Sequence, residues 1–147
     1  MQIVDWFSDG SIVVVDLALA CCAVETEFAM PEGAPRLDRV PHGALVVAVV
    51  SGTLTDVVAP LVADTIAGLG GQSMGGQSPD GRVHVVSFGA CAAAGGPYWD
   101  SYSVTKGVDQ LVDVDHYIAG CPPPPSALAG HIESLREQLA ATPGSNR

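Results

Sequence analysis

The sequence predicts a single α/β domain with a mostly parallel sheet flanked by helices, and three observations carry that prediction. Apolar runs of five to eight residues with β-branched character recur, each followed by small or turn-forming residues and then by a helical pattern. One of them, Ala44 to Val50, has no polar alternation, as expected of a parallel strand covered on both faces. The length, 147 residues, is enough to bury one hydrophobic core and little more.

Taken in order, the N-terminal segment sets Trp6 and Phe7 ahead of the aliphatic run Ile12 to Val15. Such residues near a chain end need covering, so the segment reads as an interface element for a partner chain or a membrane surface. The apolar stretch Ile12 to Val24 is broken by Asp16 and falls short of the roughly 20 residues that span a bilayer. Leu17-Ala18-Leu19-Ala20-Cys21 faintly suggests a lipoprotein cleavage site, yet residues 1–20 carry Asp5, Asp9 and Asp16 and no Lys or Arg. An export signal opens on positive charge, so the segment reads as mature protein.

The strand from Ala44 runs into Ser51-Gly52-Thr53-Leu54-Thr55-Asp56, where Thr55 or Asp56 is placed to cap a helix through Pro60 to about Leu69. Residues 68–81 are glycine-rich and read as a flexible surface loop; no Gly-Lys-Ser/Thr follows, which excludes a phosphate-binding loop. A second strand, Val83 to Phe88, ends in Gly89-Ala90-Cys91-Ala92-Ala93-Ala94-Gly95-Gly96. A third, about Val112 to Ile118, ends in Ala119-Gly120-Cys121, after which four prolines stop the backbone. Ser126 opens a last helix to about Ala141, and Leu128, Ile132, Leu135 and Leu139 give it one core face. Residues 142–147 read as a disordered tail.

The formal charge of −10, from 16 acidic against 6 basic residues, excludes a nucleic-acid partner, which would want a basic face. The four cysteines stand in three places: the adjacent pair Cys21-Cys22, then Cys91, then Cys121. That is a complete ligand set for an iron–sulfur cluster, and four thiolates are the usual complement of a 4Fe-4S cube. Three other fates compete. Adjacent cysteines hardly pair with each other, because their α-carbons lie about 3.8 Å apart while a disulfide wants roughly 4.4–6.8 Å. Disulfides would therefore have to join Cys21 and Cys22 separately to Cys91 and Cys121. Structural zinc takes cysteines in closely spaced pairs, which are missing here. Buried cysteines that merely pack as small apolar residues are the third alternative.

Cys91 and Cys121 follow directly on the carboxyl ends of predicted parallel strands, the edge where open α/β sheets bind ligands. Gly89, Gly95, Gly96 and Gly120 would let the backbone approach an inorganic core and present N–H groups to it; the alternative is plain turn chemistry.

Along most of its length the chain resembles the B-type subunit of respiratory complex I, the NADH-quinone oxidoreductase. The matching pieces, in order, are Leu19-Ala20-Cys21-Cys22-Ala23-Val24-Glu25, Leu37-Asp38-Arg39, Ser51-Gly52-Thr53-Leu54-Thr55 with Ala59-Pro60, and Phe88-Gly89-Ala90-Cys91-Ala92 with Gly95-Gly96. They continue with Ser101-Tyr102-Ser103-Val104, Val108-Asp109, Val114-Asp115 with Tyr117, and Gly120-Cys121-Pro122-Pro123. The adjacent cysteine pair separates the chain from nickel–iron hydrogenase small subunits, which space their first two cysteines.

What the resemblance implies is a flavodoxin-like subunit without flavin, carrying on Cys21, Cys22, Cys91 and Cys121 the terminal 4Fe-4S cluster that hands electrons to quinone. It implies a peripheral position on the cytoplasmic side of the cell membrane. In that setting the complex's D-type subunit completes the quinone pocket, the I-type subunit feeds electrons, and membrane-arm subunits lie beyond. The chain departs from the family where Arg39 passes through Val40-Pro41-His42-Gly43 almost directly into the next strand, omitting a basic stretch with Ser-Pro-Arg-Gln. The lysine expected before Ala-Pro is replaced by Val57-Val58. These losses keep two other readings open: the cluster-bearing small subunit of a hydrogenase-like membrane complex, and a non-catalytic assembly or interaction paralogue. With no dinucleotide or flavin fingerprint, the chain is not expected to oxidise NADH alone.

Beyond the cysteines, Glu25 matches a family carboxylate and is a candidate to tune the cluster, against the plainer reading of a helix-start carboxylate favoured by the dipole. His84 reads as a sheet-face histidine, His116 lies closer to the chemistry without an assigned role, and Arg39 is a candidate for an interface ion pair.

Overall fold

The computed structural model describes residues 1–72 and 83–141, residues 71 and 72 by their backbone alone. Strands β1 (Gln2–Asp5), β2 (Ile12–Ala18), β3 (Arg36–Leu37), β4 (Leu45–Ser51), β5 (His84–Phe88) and β6 (His116–Ile118) form one six-stranded sheet in the order β3-β1-β2-β4-β5-β6. The helices are α1 (Cys22–Ala29), α2 (Ala59–Gln72), α3 (Ala90–Ala94) and α4 (Pro125–Ala141). From β2 through β6 every pairing is parallel; β1 runs antiparallel to both β2 and β3. This is the predicted α/β architecture with a mostly parallel sheet.

Period-two alternation divides the sheet between two core layers. Leu45, Val47 and Val49 of β4 pack with Val86, Phe88, Leu128, Ile132 and Leu135 beneath α1 and α4. Val46, Ala48 and Val50 pack with Val62, Ile66 and Leu69 beneath α2. The predicted face of α4 is therefore core: Leu128 and Ile132 are completely buried.

The N-terminal segment is not an interface element. Its β1–β2 hairpin joins the sheet, which makes β2 an interior strand: Ile12 to Val15 are fully buried and Trp6 is 3% exposed. The domain's own core covers them. Asp16, the charge in that run, points into the α1 layer, where it accepts hydrogen bonds from Thr26 Oγ1 (3.2 Å) and Gln2 Nε2 (3.4 Å). Burial pushes its carboxyl above the usual range, and the Thr26 contact ties α1 to β2.

Other boundaries move for identifiable reasons. Neither Thr55 nor Asp56 caps α2 with its side chain. The Thr55 carbonyl accepts the N–H groups of Val58 and Ala59, while the Asp56 carboxylate accepts Thr105 Oγ1 at 2.7 Å. Thr55 also bridges Val104, so two of the motif segments, 51–55 and 101–104, meet in the fold. Helix α2 continues through residues 68–72, expected as loop, because Leu69 anchors its last turn in the core. The rest of the 68–81 loop and the 142–147 tail lie outside the described residues. β6 is shorter than predicted because the Asp115 carboxylate takes the Val85 N–H at 2.8 Å, replacing a ladder bond by a side-chain bond. Among the described residues, no helix is long and apolar enough to cross a membrane.

Candidate functional site

Three loops at the carboxyl edge of the parallel strands bring the cysteines together. Cys21 ends the turn after β2 and Cys22 opens α1; Cys91 lies in the first turn of α3, after β5; Cys121 follows β6. Cys22 and Cys91 are buried, Cys21 and Cys121 exposed, and all four thiols are free. No disulfide therefore joins them.

Backbone contacts lock the loops to one another. Gly89 N–H donates to Ile118 O (2.9 Å) and Ala90 N–H to Gly120 O (2.8 Å), which fastens the Cys91 loop to the Cys121 loop. Cys22 reaches the same place by packing: a Cβ at Gly89 would lie 2.7 Å from its Sγ, and Gly89 has φ +94°. Only a residue without a side chain fits there. Gly96 does the same for Cys91, whose Sγ would stand 2.8 Å from an added Cβ. Gly95 and Gly120 press instead on Trp99 and Pro123, so they shape turns and do not touch a sulfur.

Burial pushes the Cys22 thiol up to about 11, and the neighbouring Cys21, Cys91 and Cys121 add to the rise. One buried thiol thus feels all the others, which is the signature of a shared site. Among the described residues no group of three or more His, Cys, Asp or Glu side chains is placed to hold a metal ion. A single zinc with thiolates at about 2.3 Å would need such a closed cage. The donor set fits a polynuclear group, which takes its thiolates on separate irons: soft sulfur donors only, two of them buried, in a cradle that a Cβ at Gly89 or Gly96 would fill.

Glu25 lies half-buried in the first turn of α1, three residues beyond Cys22. His84 and His116 are not isolated. His84 Nε2 stands 3.0 Å from His131 Nε2, and the His116 ring stacks on His131 with centroids 3.8 Å apart. His131 went unnoticed in the sequence because its partners lie on other elements. An exposed aromatic group, Tyr98, Trp99 and Tyr102, follows the Cys91 loop; its signal was three aromatic residues within five positions of an aromatic-poor chain. Ser51, at the end of β4, was also missed: its hydroxyl is fully buried and has no hydrogen-bond partner among the described residues.

The family described as "NADH ubiquinone oxidoreductase, 20 Kd subunit" matches residues 17–135. A curated relative from Salinispora tropica, the first of two or more NADH-quinone oxidoreductase B-type subunits by its numbering, is 44% identical over 146 residues, covering 95% of this chain and 72% of the relative. Another from Streptomyces griseus, the B-type subunit numbered 2 of the same oxidoreductase, is 42% identical over 147 residues, 94% of this chain and 57% of its own length. A solved structure of the membrane-bound sulfane sulfur reductase, an archaeal respiratory membrane complex, contains a chain that superposes with a TM-score of 0.62 at 26% identity, over 91% of this chain and 73% of that one. The motif order, the α/β sheet and these matches agree: the chain belongs to the family of NADH-quinone oxidoreductase B-type subunits, and with it to the components of complex I type oxidoreductases.

Proposed function

We propose that this chain is the electron-transfer subunit of a membrane-associated, complex I type NADH-quinone oxidoreductase, with Cys21, Cys22, Cys91 and Cys121 holding a 4Fe-4S cluster that delivers electrons to quinone. The observation that carries the reading is the convergence of the thiols from three loops onto one strand edge, with the Gly89 backbone against Cys22 Sγ. Such a cluster supplies one-electron transfer between a donor and an acceptor. The protein's own share is to bind and orient. Cys22 and Cys91 hold from the buried side, Cys21 and Cys121 from the side open to a partner. The exposed Tyr98, Trp99 and Tyr102 beside that opening suit a surface that a neighbouring polypeptide covers. By the family resemblance those neighbours are the D-type subunit, with quinone at the shared boundary, and the I-type subunit on the input side, at the cytoplasmic face of the membrane. Arg39 is exposed and makes no ion pair among the described residues, as suits an intersubunit contact.

The experiment is Cys91→Ser or Cys121→Ser, made separately in the assembled complex. Each variant loses the bound iron and NADH-driven quinone reduction while the complex still assembles. Unchanged iron content in either variant, or quinone reduction at the wild-type rate, overturns the assignment. A second reading, service in a different membrane reductase, draws support from the structural likeness to the sulfane sulfur reductase chain. Quinone reduction that NADH cannot drive in the complete complex favours it.

A further inference from the structure

Ser51 closes β4 at the edge from which the cysteine loops emerge, and it is completely buried. Its hydroxyl nevertheless has no hydrogen-bond partner among the described residues. A buried hydroxyl left without a partner is destabilising and calls for an explanation. Alternation along β4 supplies its direction. Leu45, Val47 and Val49 face the α1–α4 layer, so Ser51 faces it too, and Cys22 belongs to that same layer. Ser51 is level with Phe88 on β5, and the next residue, Gly89, lies against Cys22 Sγ. The residue after Ser51, Gly52, is pressed onto Ala20, whose backbone N would stand 2.4 Å from an added Cβ, immediately before the Cys21-Cys22 pair. The orphan hydroxyl therefore belongs to the inner wall of the cysteine site.

Ser87 provides a contrast within the same sheet. It is equally buried and its hydroxyl is equally unpartnered, but Val86 and Phe88 beside it face the α1–α4 layer, which turns Ser87 to the α2 side, away from Cys22.

We propose that Ser51 is a tuning residue whose hydroxyl donates a hydrogen bond to a sulfur of the bound cluster and thereby raises its reduction potential. The inference rests on the cluster reading given above. Reduction adds negative charge that spreads onto the sulfurs, so a donor aimed at one of them stabilises the reduced state more than the oxidised one. Serine supplies that donor without a charge, in a pocket where a charged side chain would be costly.

The test is an electron paramagnetic resonance redox titration of the full complex in wild-type, Ser51→Ala and Ser87→Ala forms, prepared anaerobically with iron counted in each. Ser51→Ala is expected to hold wild-type iron with its midpoint moved to more negative potential, while Ser87→Ala titrates as wild type. The same midpoint in Ser51→Ala and wild type, at equal iron, overturns this inference alone and assigns the hydroxyl to a water. A shift of the same size in Ser87→Ala also overturns it, since a general packing effect would then suffice. If Ser51→Ala fails to retain iron, wild type labelled with 13C at serine β-carbons decides by pulsed resonance, with Ser87→Ala as background. A β-carbon coupled to the cluster spin at hydrogen-bond range supports the bond, and its absence overturns it. Wild type without any cluster overturns both this inference and the proposed function.

Discussion

Gly89 is where a single hydrogen atom in place of a side chain decides the site. Its φ of +94° is unfavourable for any L side chain, and a methyl group would overlap Cys22 Sγ at 2.7 Å. Gly89→Ala should lower the unfolding free energy by about 2 kcal/mol, combining the left-handed backbone cost with displacement of the thiol. It should also reduce iron retention. Gly43→Ala is the matched control, because Gly43 has φ +86° with nothing within 4 Å: it bears the backbone cost without touching the site. Denaturant unfolding and iron analysis on both variants check this; full iron in Gly89→Ala would count against the role. At this scale much was legible. The cysteines declare their chemistry by identity alone, and glycines beside them signal a close backbone approach. The sequence does not say which glycine meets which atom. Gly96 touches Cys91 and Gly95 touches Trp99, a distinction that depends on how the chain turns after α3. Ser51 was silent for a similar reason: a serine ending a strand looks like turn chemistry until its burial is known.

The elements around β5 and β6 gather what sequence spacing hides. His84 opens β5, His116 opens β6 and pairs with Val86, and His131 comes from α4 to meet both rings. Asp115 Oδ2 lies 4.0 Å from His84 Nδ1. Burial first, then His116 and His84, lowers the His131 pKa from 6.5 to about 4. The folded state therefore favours neutral His131, while the unfolded chain takes up a proton at the ordinary value. The resulting stability is present above pH 6.5 and is lost as pH falls towards 4. Because the ring is half exposed, the shift is discounted to about 1–2 kcal/mol. His131→Asn should flatten that part of the pH–stability curve; an unchanged slope between pH 7 and 4 would contradict it. Periodicity fixed the existence of β4, β5 and α4, since Ala44 to Val50 and the Leu128–Ile132–Leu135 face have single good readings. It failed at ends governed by side chains, where Asp115 replaces a ladder bond and Asp56 is drawn to Thr105 in place of α2.

For the whole molecule, the main revision is the N-terminal hairpin. Trp6 and Ile12 to Val15 look like a surface needing a partner, yet the antiparallel β1 and short β3 extend the sheet and bury them. Non-local pairing of that kind leaves little trace in a single sequence, because strand order depends on what the other strands leave open. The surface that does await a partner lies at the other end, where Trp99 is 65% and Tyr102 96% exposed after the Cys91 loop. Buried ligands behind and exposed ligands in front suit a one-way handover across that face. The direct test of this account is anaerobic purification followed by iron and acid-labile sulfide analysis and low-temperature electron paramagnetic resonance of the reduced protein. About four irons and four sulfides per chain, with the signal of a reduced cube, is the predicted result. Thiols that remain free and bind no iron under those conditions would contradict it.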